Sequence, residues 1–143
     1  DERAQMPHYG TEFAAGADLY ACLDAPLTIA KGATEFVHTG IAMEIPTGLV
    51  GLVYARSGLA CKKGLAPANK VGVVDSDYRG EIMVILLNTN PAGKESYTIH
   101  PGDKIAQGEF PFPYKADFKE ISSEEFDKLT TSRGENGFGS SGK

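Results

Sequence analysis

The chain has only two cysteines, Cys22 and Cys61, and they stand far apart. A small secreted domain stapled by disulfides uses more. Both therefore read as reduced thiols of a cytosolic protein. No apolar run is long enough to span a membrane, and no signal peptide opens the chain, so no membrane partner is expected. A basic block is missing too. The 14 basic and 19 acidic residues sum to −5, which argues against a nucleic-acid partner. There is no internal repeat and no low-complexity linker. A small phosphorylated ligand stays compatible with this charge, because it needs a few placed Arg, Lys and backbone N–H groups.

What is present suits one domain. The 143 residues are 41% apolar, enough for a core, with 17 Gly and 8 Pro to punctuate it. Strands are expected at residues 17–23, 34–45, 49–54, 71–74, 81–87, 97–99 and 104–110. Residues 8–16 read as loop. In 34–45 the apolar set is Phe36, Ile41, Met43 and Ile45, the mark of a half-buried strand. Residues 82–87 are apolar throughout, as in a strand buried on both faces. Residues 75–80 between two strands read as a hairpin. Turns are expected at Pro46-Thr47-Gly48, Asn90-Pro91-Ala92-Gly93 and Pro101-Gly102. Residues 57–62 suit one helical turn capped by Ser57. The clear helix is near 122–129, where Ser122-Ser123-Glu124-Glu125 forms a capping box. Many short strands and little helix imply a sandwich, barrel or jelly roll. The glycine-rich end, 133–143, is expected to be mobile. The abrupt opening Asp1-Glu2-Arg3-Ala4 leaves open whether a short strand precedes it.

Five segments hold polar, glycine-flanked residues that patterning leaves unexplained. They are Ala15-Gly16-Ala17-Asp18-Leu19-Tyr20-Ala21; Ala55-Arg56-Ser57-Gly58-Leu59-Ala60; Gly72-Val73-Val74-Asp75-Ser76-Asp77-Tyr78-Arg79-Gly80; Gly102-Asp103-Lys104-Ile105-Ala106-Gln107; and Arg133-Gly134-Glu135-Asn136-Gly137-Phe138-Gly139-Ser140-Ser141-Gly142. On chemistry alone, Asp75 and Asp77 suit turn carboxylates, Arg56 a surface cation and Asn69 a turn residue. The end also fits G-x-G-x-x-G, but no helix can follow it in the one residue that remains, so a dinucleotide fingerprint fails. Taken in order, the five segments closely resemble those of the trimeric dUTP pyrophosphatase family, over nearly the whole chain.

That resemblance implies an all-β, antiparallel jelly roll (β-clip-like). Residues 1–132 would form the domain, and 133–143 an arm closing over a neighbour's active site in a homotrimer. It implies hydrolysis of dUTP to dUMP and pyrophosphate, by water attack on the α-phosphorus. Such an activity limits uracil in DNA and supplies dUMP for thymidylate synthesis. Asp75 is implied as general base, a carboxylate able to polarise water. Tyr78 is implied beneath the deoxyribose, leaving no room for a 2′-hydroxyl. Asn69 and the backbone to Gly72 are implied to read uracil, Gly72 permitting close approach. Arg56, Ser57, Gly58 and Gln107 fall to the phosphates, Arg through paired hydrogen bonds. Asp18 is implied to order magnesium waters without ligating Mg2+, which rests on phosphate oxygens and water. In the arm, Arg133 would reach the γ-phosphate, Phe138 would stack on uracil, and Gly139 and Ser140 would add donors.

Departures from the family pattern are modest: Asn136 for glycine, Ser141 for threonine, Gly108 for a larger apolar residue, and Ala55 for a common proline. Three rival functions stand beside this reading. A dCTP deaminase of the same fold needs a catalytic glutamate where Ile85 stands. A protein-binding regulator need not keep Asp75, Arg56, Ser57, Gln107, Arg133 and Phe138 together. A generic jelly-roll binding module would release no pyrophosphate from any dNTP.

Overall fold

A computed structural model of the chain describes residues 1–90 and 95–134. Contacts divide the chain into two units, residues 1–113 and 114–143. The first carries the strands β1 (His8–Tyr9), β2 (Ala17–Tyr20), β3 (Leu27–Ala30), β4 (Thr34–Ala42) and β5 (Gly51–Tyr54). Helix α1 (Ser57–Lys63) follows, then β6 (Leu65–Pro67), β7 (Gly72–Val74), β8 (Glu81–Asn88), β9 (Ser96–Ile99) and β10 (Lys104–Glu109). The described part of the second unit carries α2 (Ser123–Phe126).

All strand pairs are antiparallel. One sheet has the order β1-β2-β10-β5-β7, a second β4-β8-β6, and a third pairs β3 with β9. Alternate residues of these strands point inward and meet in one core. Leu19, Ile29, Val37, Leu65, Leu86, Ile99 and Ile105 are its fully buried large side chains. An all-β fold of short strands is thus what forms, as composition implied. Pro46-Thr47-Gly48 does turn: Leu49 N–H donates to Pro46 O at 3.0 Å.

Several expectations are corrected. Residues 75–80 do not join a hairpin. β7 pairs with β5, whereas β8 pairs with β4 and β6, so the segment passes between two sheets. β8 is fully buried on one face only: Ile82, Val84, Leu86 and Asn88 point in, and Met83 is exposed. On β4, Val37 and Thr39 are the buried residues while Phe36 is exposed. The alternation runs unbroken from Val37 through Thr39, Ile41 and Met43 to Ile45, and Phe36 falls on its other face. β1, β3 and β6 form where no strand was expected. Helix α1 is longer than one turn, and its N-cap is Arg56, making Ser57 the first helical residue. Its end has Gly64 in the left-handed region at φ +68°, with Lys62 and Lys63 favourably placed in the last turn. At α2 the capping box is present, Ser122 and Glu125 each accepting the other's backbone N–H. The turn at 90–93 falls mostly outside the described residues.

Candidate active site

The sequence-predicted residues of unit 1 gather in two pockets. The first, about 260 Å³, is lined by Asn69, Gly72, Asp75, Tyr78, Phe36 and Met83, among others. Both β7 and the first half of β8 line it. Just upstream of β7, Lys70 N–H donates to Pro67 O at 3.0 Å and Val71 N–H to Asn69 O at 2.8 Å. Lys70 takes φ +67° there, a conformation that costs a non-glycine residue about 1 kcal/mol or more. This tight turn presents the Asn69 amide beside Gly72, where an added Cβ would lie 3.5 Å from Asn69 Nδ2 and 3.2 Å from Val53 Cβ. A side chain at Gly72 would therefore crowd the neighbouring strand residue Val53.

Downstream of β7 a second turn orients Asp75 and Tyr78. Tyr78 N–H donates to Asp75 O at 3.1 Å. Arg79 Nη1 donates to Ser76 O at 2.7 Å and to Tyr78 O at 2.9 Å, fastening the turn from outside. The Tyr78 ring lies over Gly80, and a Cβ on that glycine would stand 2.6 Å from the ring's Cζ. The Tyr78 hydroxyl donates to Glu81 O at 3.2 Å. Asp75 and Asp77 are both exposed, so either carboxylate is open to water. Ile85 lines this same pocket. The position a deaminase of this fold would need for a carboxylate is hydrocarbon.

The second pocket, about 400 Å³, is lined by Asp18, Arg56, Ser57, Gly58, Gln107 and Lys62, with Lys63 also present. Strand register builds it. Gln107 on β10 stands opposite Asp18 of β2 on one side and Tyr54 of β5 on the other. Gln107 Nε2 donates to Ala55 O at 3.0 Å, tying it to the residue before Arg56. Arg56 Nε donates to Asp18 Oδ1 at 2.9 Å. Lys104 Nζ takes the other oxygen, Oδ2, at 2.7 Å.

Burial pushes the Asp18 carboxyl up. The Lys104 hydrogen bond and the charges of Arg56 and Lys104 more than offset this, and it titrates below the usual carboxylate range. Lys104 is held above its ordinary value chiefly by the hydrogen bond to Asp18. Lys104 was not singled out from sequence. Its one signal was a lone cation within a β10 segment already suspected. A bulge between Lys104 and Ala106 is what turns it toward Asp18, and that bulge has no mark in the residue pattern.

With both oxygens engaged by cations, Asp18 is poorly placed to ligate a metal directly. Its remaining lone pairs suit water held by one. Among the described residues no cluster of three or more His, Cys, Asp or Glu could hold a metal ion. Arg133 lies in the 114–143 unit and is exposed. Phe138, Gly139 and Ser140, with the glycine-rich pattern around them, lie outside the described residues. Among the described residues no helix is long and apolar enough to cross a membrane.

Comparison with known proteins agrees with this geometry. The family model described as dUTPase matches residues 2–142. The deoxyuridine 5'-triphosphate nucleotidohydrolase of Desulfitobacterium hafniense is 47% identical over 143 residues, covering 99% of this chain and 90% of that protein. Among solved structures, the dUTPase of Staphylococcus bacteriophage 80alpha with dUPNHPP superposes with a TM-score of 0.85 at 25% identity, covering 100% of this chain and 95% of that one. A mutant dUTPase of phage phi11 of S. aureus, described for its coordination of a structural Mg(II) ion, gives a TM-score of 0.74 at 25% identity, covering 88% and 95%.

Proposed function

The chain belongs to the dUTPase family, and from that membership we propose how its residues divide the work of a dUTP diphosphatase. The fold is the family's antiparallel jelly roll. The reaction hydrolyses dUTP to dUMP and pyrophosphate. One water adds to the α-phosphorus as the bond to the bridging oxygen breaks, and the water's proton passes to a base. Asp75, exposed in the first pocket, is the base we assign. Asn69 and the backbone to Gly72 read the uracil edge. The Tyr78 ring packs beneath the deoxyribose and crowds out a 2′-hydroxyl.

Arg56, Ser57, Gly58 and Gln107 hold the triphosphate. The Asp18 carboxylate keeps the Arg56 guanidinium aimed at it. Bound magnesium would neutralise phosphate charge and hold the chain of phosphates in a reactive shape. Asp18, through water, is the protein group we place nearest to it. Arg133 completes the phosphate contacts, and Phe138, Gly139 and Ser140 cover the base and add donors. In this reading 1–132 is the domain and 133–143 the closing arm.

We assign the active form as a homotrimer with shared sites. Family membership supports this, and the pocket holding Asp75, Asn69 and Tyr78 and the pocket holding Asp18, Arg56 and Gln107 have no lining residue in common. A triphosphate nucleotide needs both sets at once, and bringing the pocket of one copy against that of another is how the proposed trimer supplies them. The exposed Phe36, Val73 and Met83 supply apolar surface for such contacts. A cytosolic setting agrees with Cys22 and Cys61 both being free thiols. The test is pyrophosphate release from each dNTP and from UTP, with magnesium and with a chelator. Release from dUTP alone, abolished by the chelator, is expected. Equal release from dCTP or UTP would overturn the specificity assigned.

A further inference from the structure

We infer that Glu81, which contacts no reacting atom, is a positioning residue that sets discrimination at the sugar by holding the anchor of the Tyr78 ring. This rests on the reading of Tyr78 as the ring beneath the deoxyribose.

Between the pairs His38↔Met83 and Ala42↔Glu81, β4 carries more residues than β8. The surplus backbone loses its ladder partners there, and a backbone N–H without a partner is costly. Side chains fill the gap. Glu81 Oε1 accepts Gly40 N–H at 2.7 Å, and Glu81 Oε2 lies 2.8 Å from His38 Nδ1. Thr39 Oγ1 donates to Ile82 O. The Glu81 carboxylate thus closes the bulge that begins β8. Burial pushes that carboxyl up, but the His38 and Gly40 hydrogen bonds outweigh it and leave it below the usual range.

The backbone of the same residue faces the nucleoside pocket. Its carbonyl accepts the Tyr78 hydroxyl at 3.2 Å, and Glu81 lines the pocket beside Tyr78. Tyr78 is otherwise half open to solvent, 45% exposed. Its ring is set by two features: the bare Gly80 beneath it and the Glu81 carbonyl at its tip. A ring excludes a 2′-hydroxyl only if it cannot swing aside. Residues 75–80 cross between sheets without ladder bonds of their own, so the first fixed point after Tyr78 is Glu81. The carboxylate clamp fixes that point, and the carbonyl passes the constraint to the ring.

The experiment measures kcat/KM for dUTP and for UTP with the full chain and its variants. Y78A should lower the dUTP/UTP ratio most. Y78F and E81A should each lower it by about five- to tenfold, the worth of one hydrogen bond. The double variant should be no worse than either, because both break one path. E81Q keeps an acceptor for Gly40 N–H and should stay close to wild type. If E81A lowers the unfolding temperature but leaves the ratio unchanged, Glu81 is merely structural and the inference is overturned. Y78F leaves the bulge intact, so an unchanged ratio there overturns it even if E81A fails to fold. An E81Q variant as poor as E81A also overturns it, since charge and not the clamp would then be at work. An unchanged ratio in Y78A would instead defeat the reading of Tyr78 itself.

Discussion

Lys104 Nζ lies 2.7 Å from Asp18 Oδ2, on the carboxylate oxygen that Arg56 leaves free. One acid thereby holds two cations beside the pocket lined by Arg56, Ser57 and Gln107. Asp18→Asn keeps the shape and weakens both contacts. It should raise KM for dUTP about tenfold through a less ordered Arg56, as expected for a weakened charge-assisted hydrogen bond. Steady-state kinetics checks this.

The same pair predicts a pH dependence. The folded carboxyl of Asp18 titrates below its ordinary 3.8. Its contribution to stability is therefore complete above that value and drains away as pH falls through the lowered one. The difference in urea midpoint between wild type and D18N should be full at pH 7. It should shrink as the pH drops below about 4. A gap that widened in acid would contradict the sign.

Asp75→Asn removes a base while keeping size. The kcat should fall by about 10²–10⁴, the usual worth of general-base catalysis, with nucleotide binding retained. Single-turnover kinetics beside a binding titration separates the two. Near-normal kcat would move the role to another group, with the exposed Asp77 examined next.

The candidate site was legible through the order of five segments and the family they resemble, since on chemistry alone Asp75 suits a turn and Arg56 a surface. Asp18, Arg56, Gln107 and Asp75 are polar residues among glycines, where strand patterning has no use for them. What escaped depends on pairing between distant segments. β3 is only four residues, too short to show a period. The turn after β7 looked like a hairpin because locally nothing distinguishes it; distant strands decide that β7 joins β5 and β8 joins β4. Phe36 stands an odd number of residues from Ile41 and Ile45, so strict alternation turns it to the opposite, exposed face. Lys104 faces Asp18 through a bulge. Extra residues of this kind leave no trace in composition, yet they aim the side chains that matter here.

Deleting residues 133–143 should leave the unfolding of the strand-bearing unit unchanged, since its core lies within residues 1–113. Activity should nevertheless fall by about 100-fold or more, because the triphosphate would lose positioning contacts. Calorimetry and kcat on the truncated chain decide this together. Equal kcat would deny the arm any part in the reaction.

In the proposed trimer Asp75 of one copy works with Arg56 of another. Two inactive variants test it directly. D75N keeps a sound phosphate pocket, and R56A keeps a sound base. The two are mixed in equal amounts, unfolded together and refolded, and dUTP hydrolysis is measured against each variant alone. If copies share sites, random assembly restores about a quarter of them, and activity rises to that order from two near-silent parents. If Asp75 and Arg56 serve one site within one copy, no assembly unites them, and a mixture no more active than its parents would contradict the account.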